Sequence, residues 1–596
     1  MRYLTILAAL AVAILANYAL WCAPNRPVPL EPPPGGKLRS ISFAPFRDGQ
    51  SPLTRVYPTP EQIDADLAVI APQVAGVRTY TSLEGMETVP ELAKKHGLTV
   101  TMGGWLSPKT VINDAEIESL IDLANRYPDT ITRVIVGNEV LLRGDLKPDQ
   151  LIAYIRKVKA AVKQPVSYAD VWEWWLKFPE IADEVDYLTI HLLPYWEDIP
   201  ASIKASADHI AWTHKIITER FPGKPILVGE AGWPTSGRTR GAAVPGRVEM
   251  AQFAGAFVRL AEEKGFDYNL IEAFDQSWKQ KLEGTVGGHW GLYTAERKPK
   301  FLLAGPVVEL PHWRDRWAIA AGAGLLLFAG ALAFAPAAVP AGSGAALAFL
   351  TQGAGSALVH AAVVAQEWNY YPQDVALQWV LLAVLAVLTL ALTAGFVRAA
   401  VARTVTARVL APGALNGLLK PGPMDALERV GTAATLILGV VAVVWSVLIV
   451  FDGRYRNFPG IYMYIPALGL LALGWLRMIR RPAGMSRGAA FAVGNLFGPA
   501  IPVPTGAEGR LTAERWIGRL LVAGAVLTVV AEGVLPVDAP LRGWIRGTSA
   551  APLSAIEWTH PNCEALRWAL LQLLLAVPFL ASARLVRDLA KVTGRR

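Results

Sequence analysis

The chain has 596 residues, 53% of them hydrophobic and only 18% charged, a balance that excludes a single soluble domain. Its formal net charge of +8 does not indicate nucleic acid, because the basic residues sit in loops between apolar runs and form no aromatic-interleaved stripe. With two cysteines, Cys22 and Cys563, and eight histidines at no ligand spacing, no disulfide framework, metal centre or cofactor is expected.

Residues 1–23 carry one Arg and then an apolar run near the ~20 residues that cross a bilayer. No A-x-A site follows and bulky Trp21 precedes Cys22, so an uncleaved signal anchor is expected, not a signal peptide or lipoprotein leader. Residues 24–36, rich in Pro, read as an extended linker.

From 37 to 312 short apolar strands alternate with helical patterns. Strands are expected over 40–46, 76–80, 98–106, 132–140, 165–171, 187–195, 225–233 and 268–278. Helices are expected over 61–71, 115–127, 149–162, 202–221 and 246–264. Near-continuous hydrophobic strands between amphipathic helices indicate an α/β fold, a (β/α)8 TIM barrel. A doubly wound open sheet is the alternative, but no Gly-rich phosphate loop follows the first strand. Asp64 and Asp66 imitate a metal-nucleotide D-x-D motif, yet read as solvated first-turn carboxylates of a helix.

Residues 313–596 read as an all-α polytopic membrane domain of about seven helices. Spans are expected near 318–338, 343–365, 376–397, 430–451, 459–477, 517–536 and 566–584. Arg398, Arg403, Arg408, Lys420 and Arg429 fall in one loop; Arg480, Arg481, Arg487, Arg510 and Arg515 fall in another. Arg587, Lys591, Arg595 and Arg596 fall in the tail, and these basic segments alternate with loops poorer in Lys and Arg. With the first anchor the count is eight spans, which puts both termini in the cytoplasm and the barrel opposite. His360 and Glu532 are polar residues near span ends, where an interfacial role is as good a reading as a functional one.

In a TIM barrel the chemistry sits where strands end, at the C-terminal face. Those ends carry Arg78, Tyr80, Trp105, Asn138, Glu139, Asp170, Tyr195, Glu230, Trp233 and Trp278. Two facing glutamates among aromatics suit glycoside hydrolysis. One carboxyl protonates the leaving oxygen, the other attacks or stabilises the anomeric centre, and aromatic faces stack on sugar rings. The plainer reading is that Glu139 and Glu230 are ion-paired strand-end residues. Asp170 reads as a strand-end hydrogen-bonding group, and His191 either packs in the barrel or lines the cleft.

Several blocks resemble glycoside hydrolase family 17, the β-1,3-glucanase family, over 40–303. These are VRTYTS (77–82), VIVGNEV (134–140), GEAGWPTSG (229–237), FDQSWK (274–279) and HWGLYTAERKPKF (289–301). The resemblance implies Glu139 as general acid/base, Glu230 as nucleophile and Asn138 as a contact to the sugar 2-hydroxyl. It also implies a cleft shaped by Tyr195, Trp233 and Trp278, while Tyr80 and Trp105 are expected as substrate contacts from their places at strand ends. The segment after Trp278 departs from the plant enzymes, which leaves Lys279 and Glu283 open between substrate contacts and surface charges. The family is retaining, which implies carboxylates about 5–5.5 Å apart and an ionised Glu230 raising the pKa of Glu139.

Some bacterial members of the family join this barrel to a multispan region and are linked to cyclic β-1,3;1,6-glucans. The resemblance therefore implies a bacterial inner-membrane protein whose barrel remodels β-glucan in the periplasm, with the lipid bilayer and a glucan synthase or export complex as partners. The alternative is an export or synthase-partner module whose barrel only binds or guides glucan.

Overall fold

Closing eight short strands into a cylinder buries their apolar faces twice, inside the barrel and beneath the helices. The computed structural model describes residues 1–402 except 33, 35, 302 and 336, together with 406–410, 415, 418, 424–481, 487–498, 500–504, 513–533 and 562–592. Two units emerge: Pro27–Glu309, and Met1–Arg26 with Leu310–Arg596. The expected linker is only partly a spacer, since Val28–Leu30 pairs antiparallel with Gly305–Val307 and ties the two ends of the first unit together.

That unit is a closed barrel of eight parallel strands. They are β1 (Ile41–Ser42), β2 (Gly76–Arg78), β3 (Thr99–Gly104), β4 (Ile131–Asn138), β5 (Val166–Val171), β6 (Leu188–His191), β7 (Ile226–Ala231) and β8 (Asp267–Leu270). Each expected strand overlaps one of them, with β4 and β8 beginning one residue earlier than expected. Val77, Val100, Met102, Val134, Val136, Val166, Ile190 and Val228 form the buried centre of the unit. The first covering helix, Pro60–Ile70, shows how local chemistry sets a boundary. Thr59 accepts from Gln62 N–H while the Gln62 side chain returns to the Thr59 backbone, and Pro60 opens the first turn.

Asp64 and Asp66 are not the solvated first-turn pair expected of the D-x-D motif. Asp66 is buried and bridges two arginines, at 2.8 Å from Arg47 and 2.6 Å from Arg297. Asp64 pairs with Lys95 and His96, each at 2.7 Å. Neither residue lies in the first turn. A carboxylate in that interior persists only with a counter-charge, and Arg297, far along the chain, supplies it.

Among the described residues of the second unit seven helices are long and apolar enough to cross a membrane: Arg2–Cys22, Trp313–Ala333, Ala341–Glu367, Pro372–Val401, Ala426–Phe451, Gly460–Ile479 and Cys563–Ala581. The remaining expected span, near 517–536, is met by a helix at Ala513–Gly533 that is not among the seven and carries Arg519 and Glu532. The N-terminal helix is tied into this unit by a polar network. Asn17 Nδ2 donates to Gln352 Oε1 at 2.9 Å, Ser356 Oγ donates to Asn17 Oδ1 at 2.6 Å, and Trp21 Nε1 donates to Ser356 Oγ at 3.0 Å. His360 belongs to the same patch, its ring 4.2 Å from that of Trp21. Glu532 accepts from Asn562 Nδ2 at 3.2 Å.

Candidate active site

Glu139, just past β4, and Glu230 of β7 each depend on a nearby glycine. Gly137 has φ +83, and a Cβ there would come within 2.7 Å of Val140 Cγ2. At Gly229 a Cβ would meet Thr189 Cγ2 at 2.3 Å and Arg78 Nη1 at 3.2 Å. Glu139 itself sits at φ 51, a left-handed backbone that costs any side chain energy. Its N–H donates to Ala169 O at 2.7 Å and its carbonyl accepts from Arg143 N–H at 2.9 Å, which holds it there. The ladder shifts register between Ile135 and Asn138 and between Ile190 and His191, so the strand ends re-aim their side chains where the site forms.

Glu139, His191 and Glu230 bring one carboxylate or ring atom each to within 4.8 Å of one another. His191 Nδ1 lies 2.8 Å from Glu139 Oε1, and its Nε2 lies 3.6 Å from Glu230 Oε1. Arg78, buried on β2, donates through Nη1 to Gly229 O at 2.7 Å and Glu230 Oε1 at 3.4 Å. Its Nη2 donates to Asn138 Oδ1 at 2.6 Å, so one guanidinium orients both Asn138 and Glu230. The trio has the spacing of a metal site, but the guanidinium already places a positive charge beside Glu230, and a second cation there would meet its repulsion. His191 is thus not a packing residue of the barrel core; it stands between the two carboxylates.

The charge balance at Glu139 also differs from expectation. Burial pushes its carboxyl up, but the His191 hydrogen bond, the imidazolium charge when His191 is protonated, and the Arg143 and Arg78 charges outweigh it. Glu139 is therefore held below the usual carboxylate range, where proximity to Glu230 alone implied a rise. Asp170 is a strand-end hydrogen-bonding group, accepting from Val171 N–H at 2.8 Å and from the Tyr168 hydroxyl. Burial, with Glu139 nearby, raises it to about 6.

The aromatics divide into two groups. Trp105 is 37% exposed just beyond β3, with the Arg143 guanidinium 4.2 Å over its ring and its backbone N–H donating to Glu116 Oε1 at 3.1 Å. Tyr80 is half-buried and donates to Ser42 Oγ at 2.9 Å, and Trp278, also half-buried, donates to Gln276 Oε1 at 2.8 Å. Tyr195 and Trp233 are 0% exposed. They pack edge-on against each other at 6.1 Å, Tyr195 meets Trp290 at 5.9 Å, and the Trp233 indole donates to Val244 O. They do not form the cleft surface expected of them, because packing in this aromatic cluster leaves neither ring a face open to a sugar.

Lys279 and Glu283 are not free surface charges. Lys279 Nζ lies 3.0 Å from both oxygens of Glu272, which is fully buried. Burial, reinforced by Glu283 and Asp275 and opposed by Lys279, raises Glu272 to about 7. Burial raises Glu283 too, and the negative charges of Glu139 and Glu230 add to the rise, which puts Glu283 within electrostatic reach of both. Glu272 escapes a reading of the sequence because it sits in the apolar run YNLIEAF; its one signal is a lone carboxylate at a barrel strand end.

The model of the BtgE/BtgC glycoside hydrolase domain matches residues 40–291. A glucan 1,3-beta-glucosidase of Arthroderma benhamiae is 31% identical over 242 residues, which are 38% of this chain and 78% of that protein. The chain belongs to the BtgE/BtgC glycoside hydrolase family. The motif resemblance to family 17 is thereby borne out, and so is assignment to the glycoside hydrolase enzymes. Another relative in the family, a putative glucan endo-1,3-beta-glucosidase btgC of Aspergillus niger, is 29% identical over 294 residues, and the chain spans 42% of its length. A glycoside hydrolase family 17 beta-1,3-glucanosyltransferase from Rhizomucor miehei shares 26% identity, covering 44% of this chain and 95% of that one, with a TM-score of 0.40.

Proposed function

We propose that the barrel is a retaining β-1,3-glucan glycosidase and transglycosylase that works through a covalent glycosyl-enzyme. The observation that carries this reading is the approach of Glu139, Glu230 and His191 atoms to within 4.8 Å. That spacing suits direct attack by one carboxylate, for which about 5–5.5 Å is usual; an inverting site leaves about 6.5–9.5 Å for a water. Glu230, aligned by Arg78, attacks the anomeric carbon while Glu139 protonates the leaving oxygen. In the second step Glu139 takes the proton of the incoming hydroxyl, and Glu230 leaves as a carboxylate. Asn138 contacts the sugar beside the nucleophile, and Trp105, Tyr80 and Trp278 line the cleft. Lys279 and Glu283 stand at its edge, near the buried Glu272.

The test is mass and linkage analysis of reduced laminari-oligosaccharides incubated with the full chain in detergent. Products longer than the donor establish transfer and their linkage, and shorter ones alone establish hydrolysis. An unchanged substrate overturns the reading and favours a barrel that only guides glucan. For the cleft wall, Trp105→Ala should raise KM about 3- to 10-fold, the loss of one stacking contact, with kcat little changed. Steady-state kinetics check this, and an unaltered KM would remove Trp105 from the sugar path.

We further propose that the helix Arg2–Cys22 remains attached and that the apolar helices hold the barrel at a membrane, on the face away from the basic loops. In a bacterium that face is the periplasm, where the barrel would meet newly exported glucan. The Asn17–Gln352–Ser356 network supports retention, because cleavage would leave buried polar groups without partners. The purified protein should therefore keep its Met1 peptide in mass spectrometry, and protease added outside intact spheroplasts should digest the barrel. Loss of Met1, or a protected barrel, would reverse the assignment.

A further inference from the structure

We infer that His191 is a positioning residue for the glycosidic reaction, holding one oxygen of Glu139 so that the other is presented to the scissile bond. This rests on the proposed roles of Glu139 and Glu230.

The ring is completely buried, with Nδ1 against Glu139 Oε1 and Nε2 flanked by Arg78 Nη1 at 3.4 Å and Glu230 Oε1 at 3.6 Å. Arg78 Nη1, 3.4 Å from Nε2, can only donate, so Nε2 accepts. Nδ1 then carries the hydrogen and donates to Glu139 Oε1 at 2.8 Å. The charged and titratable groups facing the imidazole are Glu139 on the β4 end, Glu230 on β7, Arg78 on β2 and Asp170 on β5. Arg78 lies beside both the ring and Glu230, so the array fits around a neutral imidazole with its lone pair toward the guanidinium.

With Oε1 engaged, Oε2 is the oxygen left for proton transfer. In the first step the proton passes from Oε2 to the glycosidic oxygen, the C–O bond breaks, and a bond forms between Glu230 and the anomeric carbon. Glu139 is left as a carboxylate that the Nδ1–H stabilises. In the second step Oε2 takes the proton of the acceptor hydroxyl, the acceptor oxygen bonds to the anomeric carbon, and Glu230 departs. His191 neither gives nor takes a proton in either step. Because its hydrogen bond favours ionised Glu139, it prepares the carboxyl for the acceptor step, and that hydrogen bond acts with the Arg143 and Arg78 charges to hold Glu139 low.

The experiment compares His191→Ala, His191→Phe and His191→Asn in the full chain, with pH profiles of kcat/KM on laminari-oligosaccharides. Glu139 must be protonated for the first step, so removing the donor raises its pKa and moves the alkaline limb to higher pH. Ala and Phe should lower kcat/KM up to about 100-fold, as a mis-aimed carboxyl does, and shift that limb upward by about one unit. Asn, whose amide places an N–H near the Nδ1 position, should restore much of the rate and return the limb toward wild type. An equal loss at every pH with no shift, or Asn no better than Phe, would overturn the inference. Wild type without glucan-cleaving or glucan-transferring activity would instead count against the function itself. In that case the ring nitrogens still decide: 15N shifts should show hydrogen on Nδ1, and hydrogen on Nε2 alone would overturn the assignment.

Discussion

Glu230→Gln should lower turnover of laminari-oligosaccharides by roughly 10⁴-fold or more, the scale seen when the nucleophile of a concerted constellation is removed. The amide keeps the shape of the carboxyl but cannot form the ester to the anomeric carbon, so neither shortened nor lengthened products should appear. A second effect comes from Arg78, which is buried and donates to Glu230 Oε1, Gly229 O and Asn138 Oδ1. Without the charge of Glu230 it keeps only neutral acceptors, at a stability cost on the order of 1–3 kcal/mol. Product mass analysis and a thermal melt read the two effects separately. A folded variant that retained activity within tenfold of wild type would remove Glu230 from the nucleophile role.

Glu139→Ala should separate the two steps. With natural glucan, whose leaving group needs a proton, the rate should fall about 10²- to 10⁴-fold, the usual share of general acid–base catalysis. With an aryl glucoside that leaves without help, glycosylation should persist and the glycosyl-enzyme should accumulate, giving a burst and an intact-mass adduct on Glu230. Azide needs no base to attack, so it should restore turnover and yield the β-configured glycosyl azide. An α-azide, or a variant equally impaired on both donors, would contradict a retaining double displacement with Glu139 as acid/base. His191 remains beside the emptied position, so these results test Glu139 itself and not the charge around it.

Much of this protein is written locally in its chain. A βα unit announces itself by an apolar run, a turn and an amphipathic helix, and eight such units in order leave few folds open. The glutamates could be found for the same reason. Gly137 and Gly229 are demanded by backbone conformation and a crowded neighbour, so each motif records a local steric need next to the carboxylate it serves. The apolar helices were visible because crossing a bilayer requires about 20 apolar residues in succession. What the sequence could not disclose are encounters across the closed barrel. Arg78 reaches His191, 113 residues later, only because barrel closure brings the ends of β2 and β6 together. The same closure buries Tyr195 and Trp233, pairs buried Glu272 with Lys279, and gives Asp66 its two arginines. It also reverses the expected bias of Glu139, since the sum of burial, hydrogen bond and cation charges at one carboxyl depends on which side chains stand around it. Steric and periodic constraints act over a few residues and leave their mark in the sequence; electrostatic environment depends on distances in space, and only the folded barrel sets those.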